Sequence, residues 1–251
     1  MWQKPQLMTA IADLLLLAAA AALLVAGAVM ATRLPVFTLS EVVVLHELKE
    51  VRRGEVERAL GGLLRGNFFS TNLDALRQSL EKISWVRHAE VRRRWPARLE
   101  VNIEEHEPAA RWGDGAGQLV NTYGEVFVAT LPPEIALPAL HGPAGSAQEV
   151  LNHYAEFAAT LKPTGHQPAQ LTLSPRLAWQ LKLDDGMTLE LGREQQKAPV
   201  RMRLQRFVDY YPTVLAGRNP RPLAVDMRYP NGFALRQAAV ANSSNEGRGK
   251  K

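Results

Sequence analysis

Apolar positions along this chain change their spacing repeatedly, and each change predicts a different kind of element. Residues 14–32 form a continuous run of 19 residues without a charge. As a helix that run is roughly 28 Å long, close to the ~30 Å hydrocarbon core of a bilayer. Past it the runs shorten. Val42-Val43-Val44 reads as a short buried strand. Over 53–64, Val56, Ala59, Leu60, Leu63 and Leu64 recur at helical spacing, with Gly61-Gly62 weakening the pattern. Leu73, Leu76, Leu80 and Ile83 line a second helix, with Thr71 and Asp74 as its expected cap. The period then drops to two. Ala89, Val91, Arg93 and Trp95 alternate with Glu90, Arg92 and Arg94, and Leu99, Val101 and Ile103 alternate with Glu100, Asn102 and Glu104. Pro96-Ala97 between them predicts a turn, hence an antiparallel hairpin with one apolar face.

From residue 108 the pattern is mostly strand. Trp112 opens a strand, 113–117 makes a glycine-rich turn, and Gln118-Leu119-Val120-Asn121 reads as the next strand. Ser146 with Glu149 has the spacing of a capping box, ahead of a helix whose face is Val150, Tyr154, Phe157, Ala158 and Leu161. Trp179-Gln180-Leu181 and 188–192 flank an Asp185-Gly186 turn. A helix over 200–211 points Leu204, Phe207, Val208 and Tyr211 inward, and strands at 224–228 and 233–236 surround Pro230-Asn231-Gly232. The polar residues 238–251 predict a disordered tail.

The leading apolar run has two readings. A cleaved leader would use Ala26-Gly27-Ala28 as a small-x-small site. A retained membrane anchor suits the length of the run better, and Lys4 is a weak basic leader. Arg33, Lys49, Arg52 and Arg53 follow the run, so the positive-inside rule taken alone opposes export of the C-terminal part.

Charge alters the picture little. The chain is +5 with a pI near 9.6, yet 33–108 holds 13 Lys/Arg against 12 Asp/Glu and 109–237 holds 13 against 11. Arg92 and Arg94 face glutamates across the predicted hairpin, a compensated surface rather than a nucleic-acid grip. There is no cysteine, which excludes disulfides, thiol nucleophiles and thiolate metal sites. No two histidines stand three or four residues apart, and Glu104 to Glu107 alternate faces on a strand, so neither pattern predicts a metal site. The spaced glycines at 113, 115 and 117 lead into a strand and lack a following Lys-Ser/Thr, unlike a phosphate loop. Ser146 lacks a nucleophile-elbow context, and Asp184-Asp185 is absorbed by its turn. These patterns predict neither catalysis nor a cofactor.

The order strand–helix–helix–strand–strand directly after an apolar run resembles a POTRA domain. More specifically, SWVRHAEVRRRWPARLEVNIEEHEPAARW at 84–112 resembles the bacterial FtsQ/DivIB cell-division family. The matching positions are Trp85-Val86, Val91, Arg92, Trp95-Pro96, Leu99, Glu107-Pro108 and Ala110-Arg111-Trp112. LHGPAGS before a helix, WQLKL with LELG, and Val225-Asp226, Arg228-Tyr229 and Gly232 extend the resemblance to about residue 236.

That resemblance implies an α+β chain: a cytoplasmic stretch 1–13, a transmembrane helix 14–32, a POTRA domain 35–107 and a β domain 108–237 with an antiparallel sheet and two helices. It implies a non-enzymatic, single-pass inner-membrane scaffold with periplasmic domains at the division septum. Such a scaffold links early to late division proteins and regulates septal peptidoglycan synthesis. The implied partners are FtsB-like and FtsL-like bitopic proteins, with FtsK, FtsW and FtsI as further division proteins. No cofactor and no nucleic acid are implied. The implied mode is strand addition at the last strand of the β domain, with Arg228, Tyr229, Asn231, Gly232, Phe233 and Arg176 as contacts. This chain has Arg176-Leu177 where the family often has two basic residues, and Pro230 removes a backbone donor. A second, recruiting surface on the POTRA domain is implied around Val91 and Arg93. Two other readings carry different expectations. A secreted POTRA-type assembly or chaperone protein would lose its N-terminus, and a periplasmic enzyme would need a titrating pocket.

Overall fold

The computed structural model of the chain describes residues 5–32, 41–64, 68–132 and 134–237; the expected tail lies outside them. The first helix, α1 (Pro5–Thr32), begins well before the expected residue 14 and takes in Asp13, so most of the stretch expected as a separate N-terminus is helical. Its segment Met8–Met30 has mean hydropathy 2.3, is not buried by the rest of the chain, and is long and apolar enough to cross a membrane.

The chain divides into two units with the boundary between His106 and Glu107, α1 belonging to the first. In the first, β1 (Glu41–Val44), α2 (Arg53–Gly61), α3 (Leu73–Leu80), β2 (Val86–Arg94) and β3 (Arg98–Glu105) follow the expected order. The sheet order is β1-β3-β2, with β1 parallel and β2 antiparallel to β3. Leu99, Val101 and Ile103 enter the core beneath Val56, Leu60, Leu76 and Leu80, as their alternation predicts. Several details depart from expectation. Val42 to Val44 are half-buried because β1 is an edge strand. The α2 helix stops at Gly61, and Leu63 is exposed. Asn72, not Thr71, caps α3, its side chain accepting from the Ala75 amide. In the hairpin Arg92 stands opposite Glu100, but Arg94 stands opposite Arg98. The charges compensate diagonally instead: Arg94 reaches Glu100, Arg92 reaches Glu90 on its own strand, and Arg98 reaches Glu41. Trp95, expected on the apolar face, is 67% exposed. The Glu105 carboxylate accepts the amides of Lys49, Glu50 and Val51, pinning the segment between β1 and α2.

The second unit contains β4 (Pro108–Trp112), β5 (Gln118–Asn121), β6 (Val126–Val128), β7 (Ala139–His141), α4 (Ala147–Leu161), β8 (Pro168–Leu173), β9 (Ala178–Leu183), β10 (Thr188–Arg193), α5 (Val200–Tyr210), β11 (Ala224–Asp226) and β12 (Ala234–Arg236). One sheet orders them β12-β11-β10-β9-β8-β7-β4-β5-β6. It is mixed, not purely antiparallel: β4–β7, β7–β8 and β10–β11 are parallel. The physical reason is connectivity. Parallel neighbours need a crossover, and α4 and α5 supply it between β7 and β8 and between β10 and β11. Phe157, Leu161, Leu204 and Phe207 from the two helices meet Leu171, Leu181, Leu189 and Val225 in one core. The expected capping box at Ser146 does not form. Its hydroxyl donates instead to the Pro143 carbonyl, and it makes no side-chain cap bond.

Candidate partner-binding edge

The last two strands are shorter than the alternation suggests. The β11 strand ends at Asp226 and β12 begins at Ala234, so Arg228, Tyr229, Asn231, Gly232 and Phe233 lie in the connection between them. The β12 strand pairs antiparallel with β11 in the register Ala224↔Arg236, Val225↔Leu235 and Asp226↔Ala234. Among the described residues β12 has no strand on its other side. Ala234 and Arg236 are exposed, while Leu235 packs on the core.

The connection is anchored at both ends. Met227 is buried, and its amide donates to the Glu190 carbonyl, continuing the β10–β11 pairing. Asp226 accepts the Arg228 amide at 3.0 Å and its guanidinium at 2.8 and 2.5 Å. These contacts hold the Asp226 carboxyl below the usual carboxylate range and the Arg228 guanidinium above its own. Arg228 is therefore a paired cation, though its side chain remains 62% exposed. Phe233 is partly buried against the core, its ring 6.0 Å from that of Tyr210. Tyr229 behaves differently. Its carbonyl accepts from Arg206 at 2.9 Å, but the residue is 56% exposed, so its ring does not close a hairpin core. Asn231 is exposed and Gly232 half-buried.

Arg176 sits in the turn between β8 and β9. It joins Arg228 in lining a cleft of about 480 Å³ that also takes in Gly192, Arg193, Gln195 and Arg203. The topology explains the meeting: β9 starts, and β10 and β11 end, at the same end of the sheet. Arg203 is 2% exposed, and burial pulls its guanidinium below the ordinary arginine range. Its Nη1 donates to the Leu191 and Arg193 carbonyls, and its Nη2 is buried without a hydrogen-bond partner among the described residues. Gly192 permits this crowding. It carries φ +74 at a bulge in β10, and a Cβ there would lie 2.9 Å from Arg228 Cγ. Sequence reasoning passed over Gly192, Arg193 and Arg203. Two signals were available: a glycine inside a strand pattern, and an arginine between Val200 and Phe207 on the inward face of α5.

The other surface expected to bind a partner is arranged otherwise. Val91 is half-buried on β2, an edge of the first unit's sheet. Arg93 turns its guanidinium to the carbonyls of Phe68 and Thr71 at 2.8 and 2.7 Å. It braces the loop before α3 rather than projecting as a free cation.

His166, Asp184 and Asp185 form a cluster that the sequence did not suggest, their potential ligand atoms within 4.8 Å of one another. Both imidazole nitrogens are already engaged, Nδ1 with Asp184 at 2.8 Å and Nε2 with the Tyr211 hydroxyl at 2.5 Å. A cation there would have to displace one of these contacts. The arrangement ties the β9–β10 turn to the end of α5 and the segment before β8. Burial pushes the Tyr211 hydroxyl above its usual range.

Comparison with known proteins bears on both units. Residues 37–106 match the POTRA domain, FtsQ-type, and residues 110–228 match the cell division protein FtsQ/DivIB, C-terminal family. The chain is 40% identical to the cell division protein FtsQ of Burkholderia pseudomallei over 97% of its own length and 95% of that protein's. It is 37% identical to the FtsQ of Bordetella pertussis, covering 96% and 94% of the two chains, and 39% identical to that of Nitrosospira multiformis, covering 94% and 99%. With both units matched in order, and whole relatives matched almost end to end, the chain belongs to the FtsQ/DivIB family of cell-division proteins.

Proposed function

We propose that this protein is a non-catalytic docking subunit of the division machinery. It is held in the inner membrane by α1 with both units on the periplasmic side, and receives FtsB-like and FtsL-like bitopic partners by strand addition at β12. The observation that carries the reading is the edge itself: β12 is paired on one side, and an exposed tyrosine and an arginine-lined cleft stand beside it. Three residues offer about three outward main-chain groups, worth roughly 1.5–4.5 kcal/mol at ~0.5–1.5 each. Association costs an estimated ~4–15 kcal/mol, so side chains must supply the surplus. Tyr229 is the aromatic anchor, and Arg176 with Arg228 gives the cleft its affinity for an acidic side chain of the incoming chain. Confinement of tether and partner to one membrane raises their effective concentration. Through these contacts the protein links early to late division proteins and influences septal peptidoglycan synthesis, with FtsK, FtsW and FtsI in the wider assembly. Val91, on β2 at the edge of the first unit's sheet among the described residues, is the better candidate for a second recruiting contact than the braced Arg93.

The test is site-specific photo-crosslinking of the full chain in its own membrane. A probe at Ala234 on β12 is expected to capture the FtsB-like partner. A probe at Val128, exposed on the opposite edge strand β6, is expected not to. Capture at Val128 with none at Ala234 would reject the assignment.

A further inference from the structure

The first unit carries an exposed aromatic tip to which the proposed function assigns no contact. The hairpin turn between β2 and β3 presents Trp95 at 67% exposure, and the loop before α3 presents Phe69 at 47%. Buried Phe68 joins the two aromatics edge-on, its ring centroid 5.3 Å from that of Phe69 and 6.2 Å from that of Trp95. Arg93 clamps the carbonyls of Phe68 and Thr71, so the loop is held against the hairpin. Such a surface is costly to leave in water, yet its members are fixed in place rather than turned inward.

Its position in the chain says what it faces. Glu41, the first residue of β1, is paired with Arg98, the first residue of β3, three residues past Trp95. The tether therefore enters the domain at the aromatic tip. Only residues 33–40 separate Glu41 from the end of α1 at Thr32. Fully extended, that connection reaches roughly 30 Å and no further. Whatever path it takes, this end of the domain is kept close to the membrane surface. The neighbouring arginines point to the kind of contact. Arg92, Arg94 and Arg98 are each paired with a glutamate, so they add little net charge. Their long apolar stems still suit a headgroup region, where tryptophan also partitions well.

We infer that the tip formed by Trp95 and Phe69 docks into the headgroup–acyl boundary of the membrane that α1 spans, setting the domain's attitude on the bilayer. The contact is apolar and interfacial, and does not need anionic lipid. It rests on α1 being a retained anchor, and it is independent of the β12 edge.

The test uses the full chain, with Trp2→Phe to silence the N-terminal indole, reconstituted in phosphatidylcholine vesicles brominated in the acyl chains. Among the described residues the other tryptophans, Trp85, Trp112 and Trp179, are buried, so quenching reads Trp95. Trp95 is expected to lose most of its emission and to shift to the blue. Trp95→Phe should abolish the quenched component with an unchanged circular dichroism spectrum. Adding Phe69→Trp to that variant should restore quenching at the same tip, which guards against a misfolded single variant. Phosphatidylglycerol in the vesicles should change neither result. Equal quenching with and without Trp95, or quenching only with anionic lipid, would overturn the proposal. So would a water-exposed Trp95, the result expected if the tip docks a protein. Flotation after a carbonate wash reads the anchor separately. A chain that floats unquenched refutes the docking alone; one that does not float refutes the anchor and the docking with it.

Discussion

Replacing Tyr229 with alanine separates a binding role from a folding role. The side chain is 56% exposed, and the hydrogen bond that the residue gives the fold is accepted by its main-chain carbonyl, which alanine keeps. The folded state should change by no more than about 0.5 kcal/mol, or roughly 1–2 °C in Tm for a unit of this size. Binding should respond far more. Main-chain pairing along three residues at best matches the lower end of the association cost, so an aromatic anchor beside the edge is expected to be worth about 2–4 kcal/mol. That range is roughly 30- to 1000-fold in Kd. Phe233, four residues on, should behave in the opposite way. It packs on the core and on Tyr210. Being only partly buried, it should lose about half of the ~3–5 kcal/mol typical of a buried phenylalanine truncated to alanine. The assay pairs calorimetry of each full-length variant with interferometry against the periplasmic segment of the proposed FtsB-like partner. A Tyr229→Ala protein that binds with unchanged affinity, or that melts as early as Phe233→Ala, would refute the reasoning.

Three further outcomes are expected. Gly192→Ala forces a side chain into φ +74 against Arg228, and should cost about 1–2 kcal/mol from the backbone alone. Gly186→Ala, at φ +88 with open space around it, isolates the strain, so only Gly192→Ala should also disturb the arginine cleft in denaturation and partner-binding measurements. Asp226, its carboxyl depressed by the Arg228 hydrogen bond, should titrate below 3.8 by carbon-13 NMR. Its contribution to stability is full above the unfolded value near 3.8 and fades as pH falls through the lower folded value, and Arg228→Ala should move the midpoint upward. Glu105→Gln removes the charge that gathers the amides of residues 49–51, and should destabilise the first unit by roughly 1.5–3 kcal/mol in chemical denaturation.

Local periodicity was enough to find the apolar helix, the strand–helix–helix–strand–strand order and the two-residue alternation of β3, because each is set by which neighbours along the chain share a face. The Trp-Pro and Glu-Pro landmarks around that hairpin, with Arg228-Tyr229 near the end, were likewise readable as family features. Contacts between distant segments were not. Whether the second sheet is mixed or antiparallel depends on α4 and α5 acting as crossovers, which spacing alone does not state. Caps moved by one residue or failed, because local geometry decides which short bond forms: Asn72 accepts the Ala75 amide, and the Ser146 hydroxyl donates to the Pro143 carbonyl. Tyr229 and Phe233 look alike as letters, yet one is exposed and the other packed, since burial depends on what the remainder of the fold brings alongside. The cleft is the plainest case. Arg176, Arg193, Arg203 and Arg228 are strewn over about fifty residues and meet only because three strands start or end at one end of the sheet. Alternation along a strand records which way a side chain faces, and carries no record of which strand will lie beside it.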